Sequence, residues 1–375
     1  MKPVTLILGV AAVALVSGAG GYFLGRGKSS FSGPVALTDA ARAKSSARPG
    51  LIAVDPVKLR ASLDAEKSPL ARFKLALEHL EAWIAKDPVG ALDWLNSQQK
   101  SERRDEVIRM ALNLYAETDA RSSAAWAMRN LTGAELNNML IAIADRWAVQ
   151  NGDEAARWFL TQPATLERDA AVENLFFTWS QNEPAAALKL IQGDPSLGDL
   201  VPTLLRASFA GWAKGDPQAA VSSSLELGRA RNDPEQFANT LANWATMDLE
   251  SSSKWLAENV PAGAERLAAT RELAGIYAQQ SPADGLVWLG KLDSGPERDA
   301  AANALTTGWS RSSPAEAAAW AAGQTISQLA PESIQDISRN FLMRDPAAFE
   351  AWRAALPEGP FKEQTKQVGI GPGDE

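Results

Sequence analysis

Trp83-Ile84-Ala85-Lys86-Asp87-Pro88-Val89-Gly90-Ala91-Leu92-Asp93-Trp94 decides the fold. An aromatic residue is followed by Asp four on, Pro five on, a small residue eight on and Trp eleven on. The same frame restarts at Tyr115, Trp147, Trp179, Trp212, Trp244, Tyr277, Trp309 and Phe341, in steps of 32 or 33 residues. A fainter copy begins at Leu51, with Asp55-Pro56 intact. All 13 tryptophans fall in this frame. Trp83, Trp147, Trp179, Trp212, Trp244 and Trp309 hold its first position; Trp94, Trp126, Trp158, Trp255, Trp288, Trp320 and Trp352 hold its twelfth. The tryptophan excess therefore counts repeats, and their regular placement predicts inter-helix core rather than a sugar-stacking track.

Asp or Ser before Pro starts a helix, because the side-chain oxygen accepts from free N–H groups and Pro suits the first turn. Asp87-Pro88, Asp216-Pro217, Ser281-Pro282, Ser313-Pro314 and Asp345-Pro346 follow this rule, and Ser313 with Glu316 has the spacing of a capping box. After the corner, Ala91, Trp94 and Leu95 make an i, i+3, i+4 stripe; before it, Val172, Leu175, Phe176 and Trp179 make another, as do Leu140, Ile143, Ala144 and Trp147. Each unit is thus two antiparallel helices. The eighth-on residue is small in eight of nine copies (Ala91, Ser123, Ala155, Ala187, Ala220, Ser252, Gly285, Ala317) and Phe349 in the last. Small residues there predict close helix approach. One such hairpin cannot bury its apolar faces alone, so the expected fold is all-α: an α-solenoid of about nine to ten two-helix repeats, preceded by one N-terminal transmembrane helix.

The period, helix pair and aromatic–small alternation resemble tetratricopeptide-type repeats. That family repeats about every 34 residues with Trp-x2-Leu-Gly-x2-Tyr, which is absent here. The chain is more similar to Trp-rich, Asp-Pro-hinged repeat proteins of the bacterial envelope. The likeness covers residues 51–356 and implies an architecture, with no activity or functional residue attached.

Outward from the repeats, Val4–Leu24 carries no charge and is flanked by Lys2, Arg26 and Lys28. At about 1.5 Å per residue it spans a hydrocarbon core of about 30 Å. Residues 1–28 are therefore expected to anchor the chain; the rival is a cleaved signal peptide ending near Ser17-Gly18-Ala19. Apolar Tyr22-Phe23-Leu24 beyond that point favours the uncleaved anchor. Positive charge on the C-terminal flank taken alone would keep the body cytoplasmic, but a short tail and one span resemble a bacterial signal-anchor, so the body is placed on the extracytoplasmic (periplasmic) side. Residues 29–50 read as a flexible linker and 357–375 as a disordered tail.

The first fifty residues hold six basic groups and one acid; the other 325 hold 31 basic and 44 acidic, a net −13. An acidic body suits solubility and is a poor match for nucleic acid. With no Cys and one His, no disulfide, thiolate nucleophile or Cys/His zinc site can form, and no catalytic, cofactor or metal residue is assigned. His79 shares a repeat slot with Ala111, Ile143, Leu175, Ser208, Thr240, Leu273, Leu305 and Ile337, which predicts a packed imidazole. Gly27-Lys28-Ser29 resembles the end of a phosphate loop, but Tyr22 stands where the motif needs Gly. Asn130-Leu131-Thr132 is a glycosylation sequon, and Thr132 with Glu135 serves equally as a capping box.

Arginine recurs eleven before the frame, at Arg72, Arg104, Arg168, Arg266 and Arg298. An inter-repeat ion pair or an arginine over an indole is expected there, ahead of a ladder for an anionic ligand. The expected function is a non-catalytic, membrane-tethered scaffold binding a protein or peptide along its concave surface. The alternative is an envelope enzyme or binding protein acting on glycan, and a weaker third is a structural spacer.

Overall fold

The computed structural model describes residues 54–324 and 329–368, all within one compact unit, Ile52–Glu375. The expected anchor, the 29–50 linker and residues 369–375 lie outside the described residues. Among the described residues no helix is long and apolar enough to cross a membrane.

The described residues form helices and no strands. In order these are α1 (Pro56–Ala65), α2 (Pro69–Lys86), α3 (Pro88–Ser97), α4 (Glu102–Asn130), α5 (Gly133–Leu160), α6 (Leu166–Ser180), α7 (Pro184–Gly193), α8 (Val201–Gly215) and α9 (Pro217–Arg231). There follow α10 (Pro234–Met247), α11 (Leu249–Asn259), α12 (Ala264–Gln280), α13 (Pro282–Leu289), α14 (Pro296–Ser310), α15 (Pro314–Ala322), α16 (Pro331–Arg344), α17 (Pro346–Ala355) and α18 (Pro360–Lys366). Both α4 and α5 contain a whole hairpin, bent at Asp119 and Asn151.

One extended residue makes every corner. The nine hinge residues, from Asp87 to Asp345, have φ between −129° and −161° and ψ between 56° and 89°. At Asp87 the side chain accepts from Gly90 N at 2.9 Å, and Asp119, Asn151, Asp216, Asp248, Ser281 and Asp345 repeat that bond. Hydrogen bonds from Ser251 hold the Asp248 carboxyl below its ordinary range, so this corner's contribution is present above that range and is lost as pH falls through it. Glu183 departs: its carboxylate instead takes the Trp179 indole N–H at 3.1 Å. The expected capping box at Ser313 does not form, since Ser313 makes no side-chain cap bond. Backbone bonds from Ser313 N to Trp309 O and from Ala317 N to Ser313 O hold that corner instead. Thr132 makes no cap bond either; Gly133 follows it at φ 58°, off the helical path a capping box needs.

Each first helix of a hairpin packs on the next: α2 on α4, α4 on α5, α5 on α6, then α6, α8, α10, α12, α14, α16 and α18 in succession. Each second helix packs on its own partner and on the following first helix, as α7 does on α6 and α8 and α11 on α10 and α12. The first helices thus form the tighter layer, which is the inner side of the stack. The small eighth-on residues lie at the contact: all nine slots, Phe349 included, are buried. A Cβ on Gly285 would come within 2.7 Å of Leu305 Cδ1 and 2.9 Å of Tyr277 Cβ. Both apolar stripes, at Val172, Leu175, Phe176 and Trp179 and at Leu140, Ile143, Ala144 and Trp147, are buried throughout.

The indoles are less uniform than the frame implied. Trp83, Trp94, Trp126, Trp147, Trp179, Trp244 and Trp309 are buried, while Trp158, Trp212, Trp255, Trp288, Trp320 and Trp352 are half-buried. Most of the latter hold the twelfth position, on second helices that pack less densely against one another. The tail also differs from expectation. Within it, α18 packs on α16, Thr365 and Val368 are buried, and Phe361 lies 6.3 Å from Trp352. It is the first helix of a truncated further copy, covering the end of the stack as α1 does at the start.

Gln236 is the one polar intruder in an otherwise apolar slot shared with Val107, Met139, Leu204 and Ala301. Its residue is 6% exposed and its Nε2 finds no partner in the protein. Gln236→Met, close in volume, removes that unpaired group and raises stability by about 1 kcal/mol or more in urea denaturation. A lower midpoint would show that the amide is satisfied.

Candidate functional site

The recurrent arginines are structural, though by a contact other than either expected one. Arg72 donates to the Glu66 carbonyl at 2.6 Å, Arg266 to the Val260 carbonyl at 3.0 Å and Arg298 to the Leu292 carbonyl at 3.3 Å, each six residues back. Each side chain neutralises an open carbonyl where the preceding second helix ends, a favourable place for a cation. Lys362 makes the same bond to Leu356 O at 3.0 Å, from the equivalent slot of the truncated copy. Only Arg266 adds an inter-repeat ion pair, to Glu297 at 2.8 Å. Arg104 and Arg168, 7% and 6% exposed, pair with the adjacent Asp105 and Asp169.

The sequon joins a second recurrent device. The Asn130 amide donates to the Trp126 carbonyl at 2.9 Å. Gln98, Gln162, Asn259 and Gln324 bond the twelfth-position tryptophan of their own copies in the same way, four residues back. His79 is half-buried, whereas the other eight residues of its slot are buried. Among the described residues no group of three or more His, Asp or Glu is placed to hold a metal ion. Gly27-Lys28-Ser29 lies outside the described residues.

Two grooves stand apart from this scaffolding. The first, about 640 Å³, runs across the inner layer from α5 to α10. Its floor is lowered by Ala207, Ala210 and Ala242, and Phe177 supplies one apolar wall. Gly211 explains the close floor: its Cα lies so near α6 that a Cβ would fall 1.9 Å from the Phe177 carbonyl oxygen. Asn239 is exposed and Asn243 half-buried, and neither side chain bonds to any described residue. Arg206 pairs with Glu173 of the preceding helix at 3.2 Å, both part-exposed on the rim.

The second groove, about 720 Å³, opens on the outer layer between α11 and α13, with α12 beneath. Trp288 stacks on Tyr277 there, centroids 4.9 Å apart and planes 23° from parallel. The Tyr277 hydroxyl lies 3.2 Å from Ser253 Oγ. Burial pushes the Tyr277 phenol above its ordinary pKa, against the Ser253 hydrogen bond, so the hydroxyl keeps its proton.

Neither groove was read from the sequence. A signal existed for the outer one: Ser253 occupies a slot that in the other copies before the last holds Leu92, Ala124, Ala156, Leu188, Val221, Leu286 and Ala318. Comparison with protein-family models, with curated proteins and with solved structures finds no match for this chain.

Proposed function

We propose that this chain is a membrane-tethered, non-catalytic scaffold whose stacked repeats hold an extended peptide segment of a partner protein along the inner layer. The groove over α6, α8 and α10 carries the reading. Asn239 and Asn243 present carboxamides with no protein partner, each able to donate and accept as a peptide backbone requires. Phe177 offers an apolar contact beside them, and the Arg206–Glu173 pair can exchange its exposed ion pair for one with the partner. Small residues along the floor leave room for a main chain rather than a bulky ligand. The likeness to tetratricopeptide-type and Trp-rich envelope repeats supports this use of the inner face. The uncharged Val4–Leu24 stretch supplies the tether, with the repeats on the extracytoplasmic side.

The test is photo-crosslinking in the native membrane from two positions, Asn243 on the inner layer and exposed Lys189 on α7. The expected result is a discrete adduct from position 243 only, lost when Asn239→Leu is added. Equal adducts from both positions, or none from the folded protein, overturn the reading.

A further inference from the structure

The repeats serve as an internal comparison: a residue that departs from its slot is doing something other than building the stack. Two departures meet at the outer groove. Ser253 replaces an apolar residue, and Tyr277 stands where six copies carry Trp. Each alone would be a flaw in the core; together they put two buried hydroxyls within 3.2 Å of one another on the groove floor. The wall beside them is the Trp288 indole, half-buried and backed by the Tyr277 ring. Gln280 and Lys291 line the same groove from the solvent side, and Lys254 faces them from α11. Lys291 has no ion-pair partner among the described residues, and the nearest carboxylate oxygen of Glu258 is 3.9 Å from Lys254 Nζ.

From this arrangement we infer that the groove between α11 and α13 binds an acidic saccharide of about two rings. A sugar presents an apolar C–H face that lies flat against an indole, and a belt of hydroxyls that pair with Ser, Tyr and amide groups. About 720 Å³ is the volume of a small-ligand pocket and suits a disaccharide. The charge argues for one carboxylate on that sugar. Lys254, Lys291 and Arg266 line the groove against Glu250 and Asp284, a small positive excess in a body of strongly negative charge. Arg266 is occupied by Glu297 and the Val260 carbonyl, so the two lysines are the groups left to meet an anion. The two acids on the same rim oppose a polyphosphate chain. This site is separate from the inner groove and does not depend on it.

Isothermal titration of the full chain with digalacturonate, and with cellobiose as its neutral counterpart, tests the assignment. Digalacturonate is expected to bind with Kd of about 1 mM or tighter, and cellobiose about tenfold more weakly. Lys254→Ala/Lys291→Ala, both exposed positions, should weaken digalacturonate about tenfold without altering the melting temperature. Trp288→Phe should retain binding and Trp288→Ala lose it. The inference falls if about 10 mM digalacturonate gives no heat. It falls equally if the lysine pair variant binds unchanged, or if cellobiose binds as tightly.

Discussion

Trp179→Ala is expected to lower stability by about 3–5 kcal/mol, the usual penalty for emptying a large buried aromatic site. The indole is 2% exposed and joins two successive hairpins. Its ring occupies the space where a Cβ on Gly152 would lie, 2.2 Å from Cγ, and it sits 5.6 Å from the Phe176 ring. Gly152 stands where six copies have Pro, and the indole is the reason: no side chain fits beneath it. Because stacked repeats touch only their neighbours, the loss is local. Urea unfolding should separate into two phases, with amide exchange accelerating first in α5, α6 and α7. Gly152→Ala should cost less in the Trp179→Ala background than alone, since the two residues share one space. An unchanged melt together with loss of a ligand would instead make Trp179 a binding residue.

Gly211→Val should be nearly as damaging, at about 3 kcal/mol or more. A Cβ there meets the carbonyl oxygen of Phe177 at 1.9 Å and its carbon at 2.8 Å, so α6 and α8 must move apart. Gly285→Ala is a useful contrast. Its closest neighbour is Leu305 Cδ1, which can change rotamer, and the cost should fall to about 1–3 kcal/mol. Thermal melts of the two variants decide the matter; a Gly211 variant that melts with the parent would refute the backbone contact. Since Ala207, Ala210 and Phe177 line the inner groove, separation of α6 and α8 should also weaken whatever the groove holds.

Much of the fold was legible before any coordinates. Asp87 and its counterparts announced corners because an N-cap bonds its own following turn, a contact that spans only three residues. The eighth-on Ala, Ser and Gly announced helix contact because the repeats restate the same demand. The arginine slot was visible as a recurrence, yet its partners were not: Glu66, Val260 and Leu292 offer backbone carbonyls, which carry no residue signature. The helix at 360–366 was missed because its slot residue is Lys362 rather than Arg and its aromatic is Phe361.

The grooves were less legible still. Ser253 and Tyr277 are 24 residues apart and become neighbours only when α11 folds back beside α12. Asn239, Arg206 and Phe177 belong to three successive first helices and share a surface only through stacking. The sequence by itself determined where each helix starts, which face it buries and that hairpins recur, because capping and helical periodicity are local properties of a few residues. Tertiary structure decided which indoles are covered, what the arginines hold and where space remains. Those outcomes depend on side chains from different repeats meeting across an interface.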